Sequence, residues 1–158
     1  MLSSELAALY RRDIARLIQE IRAFPNSDTL WHVVPGVSNA AGTLALHLEG
    51  NLREYIGRQL GSIAYQRNRP LEFSARGVEQ AEIVARLEGV RELVPLVIAA
   101  LDSSVLDADF PELYDGRALS TRQFLLHLYG HLSYHLGQVD YLRRVVTGSG
   151  AIELARLE

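Results

Sequence analysis

Apolar residues recur every three or four positions along four stretches of the chain, and each stretch predicts a helix. In the first, from about Ser4 to Phe24, Leu6, Tyr10, Ile14, Leu17, Ile18 and Ile21 share a face. Arginines and Glu20 fill positions between them, and Pro25 stops the pattern. A loop-like segment, PNSDTLWHVVPGVSN, follows. The second helix is expected to start near Ser38 or Asn39, either of which suits an N-cap. It carries Leu44, Leu48, Leu52 and Tyr55 on one face and ends before Gly61.

A polar connection, GSIAYQRNRPLEFSARG, leads to the third helix, where Ile83, Leu87, Val90, Val94, Val97 and Leu101 form a seam in steps of four and three. Pro95 removes one backbone donor there and is expected to bend the helix, with a break into two helices as the alternative. After LDSSVLDADFPELYDGRAL, Ser120 to Gln123 has the form of a capping box and opens the fourth helix, which Gly148 closes near a C′ position. The tail AIELARLE is expected to add a short helical turn. No useful length alternates with period two, and no repeat is visible. The pattern predicts an all-α four-helix bundle forming a single domain over residues 1–158. The connections between helices one and two and between three and four are long for a bundle. They permit a crossover topology as well as up-down order, and loops of that length often cover a site.

Composition narrows the function. Hydrophobic residues make up 48% and charged residues 22%, as in ordinary globular proteins. A net charge of −3 gives no electrostatic reason to expect nucleic acid or an anionic membrane as partner. No apolar run approaches the roughly 20 residues needed to span a bilayer. The first residues, MLSSELAALYRRDIARL, place charges at helical spacing where a signal peptide has an apolar block, so a cytoplasmic protein is expected. With no cysteine, the chain has neither disulfides nor a cysteine nucleophile. Any transition-metal site is restricted to histidine and carboxylate ligands, and thiol chemistry would need a thiol brought from outside.

The segment LHLYGHLSYHLGQVDYLRR places His127, His131 and His135 at intervals of four. At roughly 100° per residue, His135 falls about 30°, His131 about 70° and His127 about 110° from the centre of the apolar face. His131 and His135 thus point inward one turn apart, the pairing that helical metal sites use, while His127 lies on the solvent boundary. The alternative is a pair of packed core histidines. On the second helix His47 flanks the apolar stripe at its edge, where a ligand and a boundary residue that snorkels to water fit equally well. Asn51, one turn on, could hydrogen-bond a ligand or a water, whereas His32, beside Trp31 in a loop, reads as a surface or packing residue.

These residues carry a family likeness. HLYGHLSYHLGQVDYLRR resembles the last-helix motif of the DinB-like superfamily, H-x-x-x-H followed by a Gly-Gln pair and arginines, here His131, His135, Gly137, Gln138, Arg143 and Arg144. SNAAGTLALHLEGNLREYIG is similar to the second-helix segment of one uncharacterised subgroup, including the H-L-x-G-N core from His47 to Asn51. RNRPLEFSAR is similar to that subgroup's following connection. Leu136 stands where the superfamily usually has arginine. The resemblance implies a DinB-type bundle with long connections and a metal held by His47, His131 and His135, leaving out His127. It also implies a homodimer, and kinship to thiol-dependent transferases and isomerases that use a low-molecular-weight thiol such as bacillithiol or mycothiol.

Three neutral imidazoles leave a tetrahedral ion one open position, which is how catalytic zinc is held; zinc is the expected metal, with nickel, manganese or iron as alternatives. The expected chemistry is transfer of an exogenous thiol to a small electrophile. The alternative is a non-catalytic metal-binding or ligand-sensing bundle. The chain lacks the glutamate of H-E-x-x-H proteases and has no Glu-x-x-His of two-metal carboxylate bundles. Asp140 points away from the apolar face, and Glu54 is the one helical base candidate, with an exposed charge as its simpler reading. Arg67, Arg69 and Glu72 could orient an anionic thiol or substrate, or form a solvated loop with local ion pairs. Gln138 is a candidate to fix the ring of a ligand histidine, with Tyr134 beside it. Arg143 and Arg144 read as cations in a helix's last turns.

Overall fold

Tyr10, Ile14, Leu17, Ile18 and Ile21, one face of the first periodic stretch, are all buried, and they pack with the other three apolar faces around one core. The computed structural model describes residues 1–157. Among these, four long helices build the bundle: α1 (Leu2–Arg22), α3 (Ala41–Leu52), α5 (Gln80–Ala99) and α7 (Thr121–Thr147). Three short helices sit in the connections: α2 (Ser27–Leu30), α4 (Arg69–Ser74) and α6 (Ser103–Asp107). Pairing of extended backbone among the described residues is limited to two isolated bridges, Asp109 with Ser120 and Tyr114 with Arg117. No helix among them is long and apolar enough to cross a membrane.

The long connections have a geometric cause. Helix α1 packs on α5 and α7, and α3 packs on the same two, so α1 and α3 face each other across the bundle. The chain therefore crosses a diagonal between α1 and α3, and another between α5 and α7; only α3 to α5 joins neighbours. Tyr10 ties α1 to α7 by donating its hydroxyl to the carbonyl of Leu125, at 2.7 Å.

Helix α3 is the central element: every residue from Ala41 to Leu52 is buried, because α4 covers the side that α5 and α7 leave open. Its N-cap is Ala40, with no side-chain cap bond, which corrects the assignment to Ser38 or Asn39. Those two residues lie ahead of the helix, in the segment leading to α7's flank. The helix does not end cleanly. Arg53–Arg58 continues it as a π-helical turn, with Gln59 N donating to Glu54 O and Gly61 N to Ile56 O. Such turns insert one extra residue into the helical repeat and favour functional sites.

Helix α5 runs unbroken through the buried Pro95. Ser120 and Gln123 form the capping box of α7, and Gly148 ends it in the left-handed conformation, φ 68°. The tail forms no helix among the described residues, against expectation. It lies against α1 instead, with Arg16 Nε donating to the carbonyl of Ala155 at 2.8 Å and Ala155 N donating to Gln19 Oε1 at 2.8 Å. Backbone groups taken up by side chains of α1 are thereby withdrawn from a helical turn. Arg143 is also not a last-turn surface cation: it is fully buried, paired with the equally buried Glu20 of α1, and donates to the carbonyl of Gly150 at 3.0 Å.

Candidate metal centre

Helices α3 and α7 bring three imidazoles together. His47 Nε2 lies 3.2 Å from His131 Nε2, and His135 Nε2 lies 3.1 Å from the same atom. One nitrogen from each ring lies within 4.8 Å of the others, so the three histidines could hold a metal ion. His47 is buried; the other two are half-buried. His131 and His135 meet because one helical turn separates them, as the sequence pattern requires.

The opposite ring nitrogens fix which atoms face the cluster. His47 Nδ1 lies 3.0 Å from Glu72 Oε2, and Arg67 clamps the same carboxylate, Nε to Oε1 at 2.7 Å and Nη2 to Oε2 at 2.9 Å. Burial pushes the Glu72 carboxyl up, but hydrogen bonds from His47 and Arg67 outweigh it and hold the group below its ordinary value. An ionised carboxylate only accepts, so Nδ1 of His47 carries the proton and Nε2 presents a lone pair. His135 Nδ1 lies 2.6 Å from Gln138 Oε1, and an amide oxygen imposes the same tautomer. His131 is pushed down to about 4, chiefly by burial and then by the neighbouring His135 and His47. Burial also lowers His135, although Gln138 opposes it. Both are neutral at neutral pH, the form that binds metals.

This donor set fits a cation. Nε2 of His47 and of His135 both present lone pairs, and His131 Nε2 can donate a proton to only one of them. Its own Nδ1 is buried without a hydrogen-bond partner. A four-coordinate ion with metal–nitrogen bonds of about 2.0–2.1 Å needs donors about 3.3 Å apart, close to the 3.2 and 3.1 Å that separate His131 Nε2 from those of His47 and His135.

The remaining candidates divide. Gln138 Oε1 is the hydrogen-bond partner of His135 Nδ1. Asn51 is buried one turn beyond His47, its Oδ1 without a partner. Arg67 is engaged with Glu72 and lies over the Tyr55 ring, and exposed Arg69 lies over the Phe73 ring, which in turn packs against His47. Arg67, Arg69, Glu54, Tyr55, Arg58 and Glu112 line a polar recess of about 570 Å3. His127 stays outside the cluster, exposed beside Tyr114, and His32 is also exposed. Glu54 is paired with Arg58, whose hydrogen bonds hold it below its ordinary value, so it is not a free base. Asp140 pairs with Arg143 and Arg144.

Glu72 is the residue whose part the sequence did not reveal: it is a buried anchor of His47, not a solvated loop charge. The signal that accompanies it is Gly50, since a Cβ there would collide with the Glu72 carboxylate. The H-L-x-G-N core thus supplies a histidine and, three residues on, the space its anchor occupies.

No protein-family model matches the sequence, and no curated protein matches it. Its fold is similar to the crystal structure of a DinB-like protein from Bacillus cereus ATCC 10987. The TM-score is 0.66 over 89% of this chain and 91% of that one, at 15% sequence identity. The chain therefore has a DinB-like, all-α fold.

Proposed function

We propose that His47, His131 and His135 hold a divalent metal ion, zinc first, and that the protein transfers an exogenous low-molecular-weight thiol to a small electrophile. The observation that carries this reading is the convergence of three Nε2 atoms, two of them turned inward by Glu72 and Gln138 at the far side of their rings. A three-imidazole ion with an open position supplies Lewis acidity, which makes a thiol far more acidic than in water. The absence of cysteine is consistent with a thiol that arrives from outside. Exposed Arg69 and the recess beside it offer positive charge to a thiol's carboxylates, while Arg67 is committed to Glu72. We assign Asn51, buried one turn beyond His47 with its Oδ1 unpartnered, the role of hydrogen-bonding a ligand of the same site.

Elemental analysis tests the metal, on protein purified without added metal or an affinity tag and beside the His135→Ala variant. We expect about one equivalent in the wild type and little in the variant. Turnover of 1-chloro-2,4-dinitrobenzene with a panel of thiols tests the reaction, in which the thiol sulfur displaces chloride and one proton is released. Metal-free wild type overturns the whole reading. A loaded protein inert with every thiol overturns the transferase and leaves a non-catalytic metal-binding bundle.

A further inference from the structure

Beside the triad lies a second cavity, of about 460 Å3, between the segment preceding α3 and the later turns of α7. Val34, Val37, Leu44, Tyr141 and Val145 give it an apolar wall, and Gln138 is one of its few polar groups. Two of these residues stand one turn from a triad histidine on the helices that carry the triad: Leu44 precedes His47 by three positions and Gln138 follows His135 by three. On a helix such pairs share a face. The cavity therefore adjoins the cluster from both helices.

Gln138 joins the two. Its Oε1 is occupied by His135 Nδ1, and its amide nitrogen has no hydrogen-bond partner among the described residues. That leaves two N–H donors available to whatever fills the cavity. Ser38 and Asn39 add uncharged polar groups on the side of the segment preceding α3, the rest of the wall is mainly aliphatic and aromatic, and no charged side chain lines the cavity. An anion would therefore be desolvated there without a counter-charge, whereas an uncharged apolar body would not.

We propose that this cavity binds the second reactant of the triad site: a small, uncharged, apolar molecule whose polar substituent accepts a hydrogen bond from the Gln138 amide. The assignment rests on the thiol-transfer reading and divides its two reactants between two recesses. The charged thiol takes the arginine-lined side beyond His47, and the apolar partner takes the side beyond His135.

The test uses 1,3-dinitrobenzene, an apolar acceptor with no leaving group, in calorimetric titration of the purified protein. The chain contains no cysteine and no lysine to react with nitroaromatics. Binding is expected in the wild type. Val145→Trp fills the cavity from its exposed rim without touching the triad, and Gln138→Glu keeps an oxygen for His135 while removing the amide donor. Each is expected to weaken binding by about tenfold or more, the equivalent of one lost contact of moderate strength. Metal content, read by elemental analysis, stays at the wild-type level in Val145→Trp, whose side chain is no partner of the triad. Equal affinity in wild type and both variants, or no binding to the metal-loaded wild type, overturns the cavity assignment and leaves the metal reading intact. Cavity-dependent binding to a protein that carries no metal supports the cavity and sinks the triad reading alone.

Discussion

Glu72 Oε2 accepts a hydrogen bond from His47 Nδ1 at 3.0 Å, across 25 residues of sequence and from a different helix. The contact sets the tautomer of His47 and holds its ring toward α7. Second partners of this kind typically control metal affinity by a factor of about 10–100. Glu72→Gln keeps the size but removes the charge, and is expected to weaken metal binding by about that factor. Competition against a chromophoric chelator measures it; an affinity within about twofold of wild type would show that Glu72 is not the anchor.

Gly50 faces the same carboxylate. Helix propensity alone favours alanine over glycine by about 1 kcal/mol, so Gly50→Ala should not unfold the protein by any local preference. Its methyl group, however, takes the space of the Glu72 carboxylate, which must swing away from His47 and Arg67. The expected outcome is a split: a melting temperature close to wild type with weakened metal affinity. A large loss of stability with unchanged affinity in the folded fraction would contradict it.

The bundle and two of the three histidines were legible because they rest on local periodicity. His131 and His135 are one turn apart on a helix with a clear apolar side, so their shared direction follows from spacing alone. His47 was not decidable by the same means, because α3 is buried on every side and has no polar face to orient a wheel. Glu72 and Arg67 lie in a connection whose polar composition says nothing of burial; what encloses them is α4 folding back onto α3. Arg143 illustrates the same limit. Its place in the last turns of α7 satisfies the helix-dipole pattern, and its actual partner, Glu20, is 123 residues away in sequence. The π-helical turn after Leu52 leaves no periodic signature in so short a stretch.

The Arg143–Glu20 pair predicts an asymmetric mutational result. Both side chains are fully buried, so removing Arg143 leaves the Glu20 carboxylate without its cation in the core. Arg143→Met is expected to destabilise the fold by about 3–5 kcal/mol, whereas Glu20→Leu with Arg143→Met should recover most of that loss. Urea denaturation of the two variants and wild type measures both steps. Additive losses in the double variant would show that the pair is not coupled.

Asp13 predicts how stability responds to acid. Its carboxylate is buried on α1, where it accepts from Tyr129 Oη at 2.8 Å and pairs with Arg12 at 2.7 Å. Burial raises its pKa, but the hydrogen bonds from Arg12 and Tyr129 outweigh burial and leave it below its ordinary value of 3.8. A group held lower in the folded state than in the unfolded chain stabilises the fold above its unfolded pKa, and that contribution disappears as pH falls through the folded value. Asp13→Asn retains the shape without the charge. Its stability deficit against wild type should be constant from about pH 7 to about pH 5 and shrink below about pH 4, as wild type loses the advantage. Urea midpoints of the metal-free proteins across that range read the difference without the titration of the histidine cluster, which both proteins share. A deficit that holds steady or widens toward pH 3 would mean that the buried carboxylate is stabilised no more by Arg12 and Tyr129 than it is penalised by burial.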